Sequence, residues 1–212
     1  MTQNLCDRIT GSTVALAMAL LVGTGQMAFA GTVEVPPAPA NIQVPEGNVA
    51  FLKAHAIGTQ NYICAPSDSG FAWKFFGPQA TLFLTIKWFQ GDIRQQVATH
   101  FLSPNPVENG MPRATWQASL DSSIVWGKAI AQSSDSNFVA PGAIPWLLVQ
   151  VGGAQRGPTG GDYLTPTTFI QRLNTAGGLA PATGCSQATD GATALMPYTT
   201  DYYFYKAVRR RN

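Results

Sequence analysis

His55 and His100 are the two histidines of the chain, and with Asp121 and Glu108 they are the groups best suited to bind a metal or move a proton. A zinc or acid–base site needs such side chains to converge, which HExxH or HxH spacing would favour. Neither motif is present, so convergence depends on the fold. His55 alternates with Val49, Phe51 and Ile57, the pattern of a half-buried histidine on a strand. His55, His100 and Asp121 therefore stand as an enzymatic alternative, a small metal- or histidine-dependent hydrolase. A serine hydrolase is disfavoured because there is no GxSxG elbow. Glycoside hydrolysis needs two carboxyl groups about 5 to 9.5 Å apart, and the acids here are scattered singly. Asp121 in SLDSS and Asp162 in GGDYL read as turn residues bonding their own backbone. Asp201, set among aromatics in TTDYYFY, needs a partner if it is buried.

Binding is the stronger expectation. Most tryptophans in a domain of this size fill core, and Trp88 and Trp146 are expected to do so. Trp116 lies in, and Trp126 just after, residues 103–123, SPNPVENGMPRATWQASLDSS, which read as a long, proline-broken, exposed loop. The glycine-rich stretch VQVGGAQRGPTGG at 149–161 has neither GxGxxG nor GxxxxGK[ST] spacing. It is therefore expected to be a wide turn after a core strand, with Arg156 available to an anionic ligand. Trp116, Trp126, Arg156 and Asp162 are the candidate binding residues. No cofactor is expected.

The elements that must position these residues are strands. Short apolar runs are broken by Gly, Pro, Asn, Asp and Ser about every ten residues, which is the rhythm of an antiparallel all-β domain, a sandwich or a barrel, with long loops. In TLFLTIKWF at 81–89, Leu82, Leu84, Ile86 and Trp88 share one face and are expected to face the core. Residues 49–57 and 196–208 read as strands too, and 144–151, apolar on both faces apart from Gln150, as a central one. Residues 165–178 carry helix signals at both ends, a threonine–proline start and a glycine stop. Their threonine content and single helical pair, Phe169 with Leu173, tip the reading to strand.

Residues 1–30 have the three parts of a secretory signal: Arg8, an apolar run, and a small-residue site ending at Ala30. The expected organisation is a signal peptide at 1–30, an extended leader at 31–47, one β-rich domain at 48–208 and a basic tail at 209–212. Thirteen basic and eleven acidic residues leave a formal net charge of +2, too small to draw the protein to nucleic acid. After cleavage Cys64 and Cys185 remain, and in an oxidising compartment such a pair is expected to form an interstrand disulfide. The compartment is the periplasm or the medium.

Several phrases together resemble a known family. IPWLLVQ at 144–150, GGDYLTPTTFIQRLNTAGGLAP at 160–181, Cys185 and PYTTDYYFY at 197–205 are similar to secreted proteins grouped as a domain of unknown function. That family occurs in bacteria and fungi and includes fungal appressorium-specific secreted proteins. IQVPEGN at 42–48, LKAHAIGTQNYIC at 52–64 and TWQASLDSSIVWG at 115–127 extend the resemblance over nearly all of the mature chain. It implies a single extracytoplasmic domain whose cysteines are matched by Cys64 and Cys185, and it carries no established activity. The expectation is a non-catalytic binding or interaction module at the cell envelope or surface, its partner a surface glycan, an envelope component or another protein.

Overall fold

Each strand pairs antiparallel with the next in the chain, and the last returns to the first, so the sheet has no open side. The computed structural model describes residues 33–105 and 108–208. The expected signal peptide and the basic tail lie outside the described residues. The strands are β1 (Asn48–Ser67), β2 (Gly70–Trp88), β3 (Gly91–Asn105), β4 (Met111–Ala118), β5 (Ile124–Ser133), β6 (Trp146–Gln155), β7 (Thr167–Gly177) and β8 (Thr193–Ala207). The β1–β8 ladder, from Asn48 opposite Ala207 to Ile63 opposite Thr193, closes the barrel.

Alternation along the strands sorts the side chains. Leu52, Ala54 and Ala56 of β1, Ala80 and Leu82 of β2, and Ala98 of β3 point inward, facing Trp116 of β4, Ile170 of β7 and Tyr198, Tyr202 and Phe204 of β8. Small residues on one wall oppose large ones on the other. An eight-stranded barrel is just wide enough for its side chains to fill, and this pairing of sizes fills it.

A second apolar layer lies outside the wall. Val139, Trp146, Leu148, Leu173, Tyr203 and Tyr205 are covered by Val33, Val35, Ala38, Ile42 and Val44, all from the segment that precedes β1. Ile42 is completely buried, which contributes about 1.5–3 kcal/mol. Its carbonyl accepts a hydrogen bond from the Gln171 amide at 2.7 Å, and Gln171 in turn accepts one from the Tyr205 hydroxyl. Residues 146–149 of β6 and 198–205 of β8 are thus covered on both faces, which explains why IPWLLV and TTDYYFY are apolar or aromatic almost throughout.

Four expectations need correcting. Of the β2 set, Leu82 is buried and Leu84 packs against the core, but Ile86 and Trp88 are exposed. The pairing of β1 with β2 ends at His55 opposite Phe83, and that of β3 with β4 at Ala98 opposite Ala118, so the end of the β2–β3 hairpin has no wall to face. Residues 103–123 are mostly strand, not a long loop: β3 runs to Asn105 and β4 starts at Met111. Asn109 and Gly110 both take positive φ, 55° and 77°, and turn the chain between them. Trp116 is consequently buried inside the barrel. Finally, Cys64 and Cys185 are bonded, but the bridge ties the end of β1 to the β7–β8 connection rather than to a strand. Its sequence separation of 121 residues corresponds to about 4–5 kcal/mol of loop-closure entropy. Residues 165–178 do form a strand, β7.

Candidate functional site

The outer wall of β4, β5 and β6 carries a groove of about 290 Å³ lined by Glu108, Arg113, Trp126, Lys128, Gln150 and Gly152. Trp126 reaches it by alternation, since Val125 and Gly127 on either side are buried, and the register shift opposite it leaves Gly152 of β6 as the extra residue of a bulge beside the groove. Its indole lies over Gly153, directly across the ladder, where an added Cβ would fall 2.4 Å from Trp126 Cζ2. Glycine is therefore what allows the ring to lie on the backbone. Glu108 and Arg113 border the groove as a two-pronged ion pair: Nε donates to Oε2 at 2.6 Å and Nη2 to Oε1 at 2.7 Å. Asn105 adds a bond to Oε2 at 2.5 Å. The Arg113 hydrogen bonds are the largest influence holding the Glu108 carboxyl below its usual range, with Asn105 and the charge of Lys128 acting the same way. An aromatic surface, a fixed acceptor–donor pair, a lysine and an amide thus meet in one concavity.

A larger groove of about 610 Å³ crosses the outside of β1, β2 and β3, among Ile57, Thr59, Asn61, Phe76, Gln79 and Phe101. Two of its polar groups bond to each other, Thr59 Oγ1 to Asn61 Oδ1 at 2.7 Å. It offers mainly apolar surface.

The histidines do not converge. His100 points into the barrel, stacked on Trp116 with ring centroids 4.3 Å apart and edge-on to Tyr202. Its Nδ1 lies 2.9 Å from the Thr115 carbonyl and donates to it. Burial drives its pKa down to about 3, the bond to Thr115 partly opposing this and the charge of Arg172 adding to it. His100 is therefore a neutral core residue at ordinary pH. His55 faces outward on β1, its Nδ1 2.9 Å from Asp201 Oδ1. Asp201 also receives Lys53 at 3.1 Å and Asn174 at 3.0 Å, both on Oδ2. Burial works against its ionisation, but the hydrogen bonds from Asn174, His55 and Lys53 outweigh it and hold the carboxyl below its usual range. The partner that Asp201 needed is thus three partners.

Asp121 sits elsewhere again, at the β4–β5 turn. Its carboxylate accepts the backbone N–H of Ser123 at 2.9 Å and of Tyr163 at 2.8 Å, and so stitches the β4–β5 turn to the glycine-rich β6–β7 connection. Gly157 and Gly161 press against it so closely that an added Cβ would lie 1.7 Å from the Asp121 carbonyl oxygen and 2.3 Å from its Cβ. The glycine-rich stretch expected to be one wide turn is strand as far as Gln155, and its remainder is a connection packed onto a turn. Within it Arg156 faces Asp162 at 3.8 Å, both side chains largely exposed. Such a pair contributes little to stability. Of the four candidate binding residues, Trp126 lines a groove, Arg156 and Asp162 face one another, and Trp116 is inside. Among the described residues no three His, Cys, Asp or Glu side chains are grouped so as to hold a metal ion.

A family profile described as a protein of unknown function, DUF3455, matches residues 45–206. The chain belongs to that family. The match spans the whole barrel from before β1 to the penultimate residue of β8. No curated protein and no solved structure matches the chain. The family brings no activity or ligand with it; what the chain can do follows from its geometry. Among the described residues no helix is long and apolar enough to cross a membrane.

Arg113 and Lys128 of the groove are not marked by the sequence, and Glu108 stands there only as a metal or proton-moving candidate. Glu108 and Arg113 flank Asn109-Gly110, a strong hairpin signal; taken as a turn, it sets opposite charges on facing sides. Gln150 was visible as the polar interruption of an apolar strand, which marks it as facing outward.

Proposed function

We propose that this protein is a non-catalytic binding module acting outside the cytoplasm, at the cell envelope or surface, and that the groove around Trp126 takes a hydroxyl-rich ligand of the sugar-ring class. The observation that carries the reading is the seating of Trp126 on Gly153 beside the Glu108–Arg113 pair. Binding sites combine apolar and aromatic lining with a few fixed polar groups that set orientation. A sugar ring presents an apolar C–H face for the indole and hydroxyls for Glu108, Arg113, Lys128 and Gln150. Because Glu108 and Arg113 already hold each other, a ligand meets donors and acceptors that need little ordering, which lowers the entropic cost of binding. The Cys64–Cys185 bond supports an oxidising compartment. Titrating soluble envelope-glycan fragments while following heat and tryptophan emission tests the reading. Saturable binding to at least one fragment, lost in Trp126→Ala with the far-ultraviolet spectrum unchanged, is expected; binding that survives the substitution counts against it.

A second reading rests on the His55–Asp201 pair, in which a carboxylate holds Nδ1 of an outward-facing histidine. That arrangement suits a general acid or base. It calls for a hydrolytic rate that follows the titration of a histidine and disappears in His55→Ala.

A further inference from the structure

Strand β7 turns a cation into the barrel. Ile170 faces the inner core, whereas Gln171 bonds to Ile42 in the outer layer and Leu173 packs there too. Arg172 between them therefore points inward, and it is only 9 % exposed. Among the described residues no carboxylate lies within salt-bridge distance of it. Its Nη2 donates to the Pro145 carbonyl at 2.8 Å, and the guanidinium also meets the hydroxyl of Tyr202, its neighbour across the β7–β8 ladder. Both partners are neutral. A guanidinium does not shed its proton, and a buried charge is costly unless an opposite charge compensates it. The neighbouring phenols do not supply one, because burial pushes Tyr198 and Tyr202 up and keeps both protonated at ordinary pH.

The groups left without a partner in this part of the core are all donors. Arg172 Nε, Gln60 Nε2 and Trp116 Nε1 are buried and make no hydrogen bond among the described residues. They belong to one connected set of inward side chains. The Trp116 ring lies 5.6 Å from that of Tyr202, and the Tyr202 hydroxyl lies 3.5 Å from that of Tyr198. Gln60 and Tyr198 in turn press on Gly178, where an added Cβ would fall 3.0 Å and 2.9 Å from them. An acceptor that carries negative charge satisfies such donors and compensates the guanidinium at once, through charge-assisted bonds. Water brings no charge and two hydrogens of its own. We infer that the barrel interior holds a small monovalent anion of halide size at Arg172, with Gln60 and Trp116 as further donors. The size follows from the packing, since an eight-stranded barrel filled by its own side chains leaves room for at most one small ligand. This ion is a structural counter-charge, and the inference is independent of the Trp126 groove.

The test compares thermal melting of the disulfide-bonded chain in sodium chloride and in sodium gluconate at equal ionic strength, gluconate being too large to enter. Chloride is expected to raise the melting temperature by about 3–6 °C for each tenfold increase above its dissociation constant. That difference between the salts should vanish in Arg172→Met, which keeps the stem and removes the charge. Gln60→Leu, which keeps the volume and loses one donor, should raise the chloride concentration required about tenfold. Where Arg172→Met does not fold, Gln60→Leu and a bromide-soaked crystal of the parent decide, the latter by an anomalous peak beside Arg172 Nε. Equal melting in the two salts, a chloride effect that both variants retain unchanged, or bromide bound at surface residues only each overturns the inference.

Discussion

The two faces of the β4–β5 wall use the same residue type for opposite ends. Trp116 points inward, fully buried and stacked on a neutral His100. Trp126, on the neighbouring strand, points outward onto Gly153 and lines a groove. Nothing in the two tryptophans differs; the difference is which side of a closed sheet the alternation puts them on, and what stands behind them. Aromatic and histidine side chains in this fold become structural inside and available outside. The same contrast separates His100 from His55.

Truncation at each tryptophan sharpens that contrast most. Trp116→Ala should cost about 3–5 kcal/mol of unfolding free energy, read from urea denaturation, while Trp126→Ala should stay below about 1 kcal/mol. Equal losses at the two positions would break the distinction. Acid provides the next largest effect. His100 has a folded pKa of about 3, below the ~6.5 of an unfolded chain, so the unfolded state takes up the proton first. Stability is complete above about pH 6.5 and falls with pH by up to about 1.4 kcal/mol per unit until the folded value is reached. His100→Phe should show a shallower decline between pH 6.5 and 4.5 than the parent in the same assay.

Gly153→Ala probes the outer face through its support. The new methyl would lie 2.4 Å from the indole, so the ring must lift, at about 1–3 kcal/mol, and ligand affinity should drop with it. Asp201→Asn is the smallest, about 1 kcal/mol, since it weakens bonds with Lys53 and His55, whose own side chains are part-exposed, and removes none of the packing. The depressed Asp201 carboxyl contributes its stability above the unfolded carboxylate value of ~4 and loses it as pH falls through the folded one. The parent and Asp201→Asn should therefore draw together in stability as pH falls below the unfolded carboxylate value of ~4.

Much of the fold was legible because alternation and turn residues report directly on strands. The β-rich class, the cysteine pair, the strand at 167–177 and the doubly buried start of β6 all follow from local pattern. Which face is inside does not. Val49, Phe51, His55 and Ile57 alternate as convincingly as Leu52, Ala54 and Ala56, yet the register shift between Ala50 and Leu52 breaks the first set, so that Phe51 packs against the inner core while His55 faces out and Leu52, Ala54 and Ala56 face in. The β2 run failed for a related reason: a strand can keep its apolar face past the point where its neighbours stop. For the site, one residue of four was placed in a groove. Residues 103–123 were read through their prolines, when Asn109-Gly110 was the stronger signal, and that exchanged an exposed loop for a buried Trp116.

The central claim, that ligand binding belongs to the outer face, is tested most directly on an array of envelope-glycan fragments probed with the parent chain, Trp126→Ala and His55→Ala. The account predicts that the parent and His55→Ala bind the same fragments and that Trp126→Ala binds none. Binding retained by Trp126→Ala, or no binding by the parent, would contradict it.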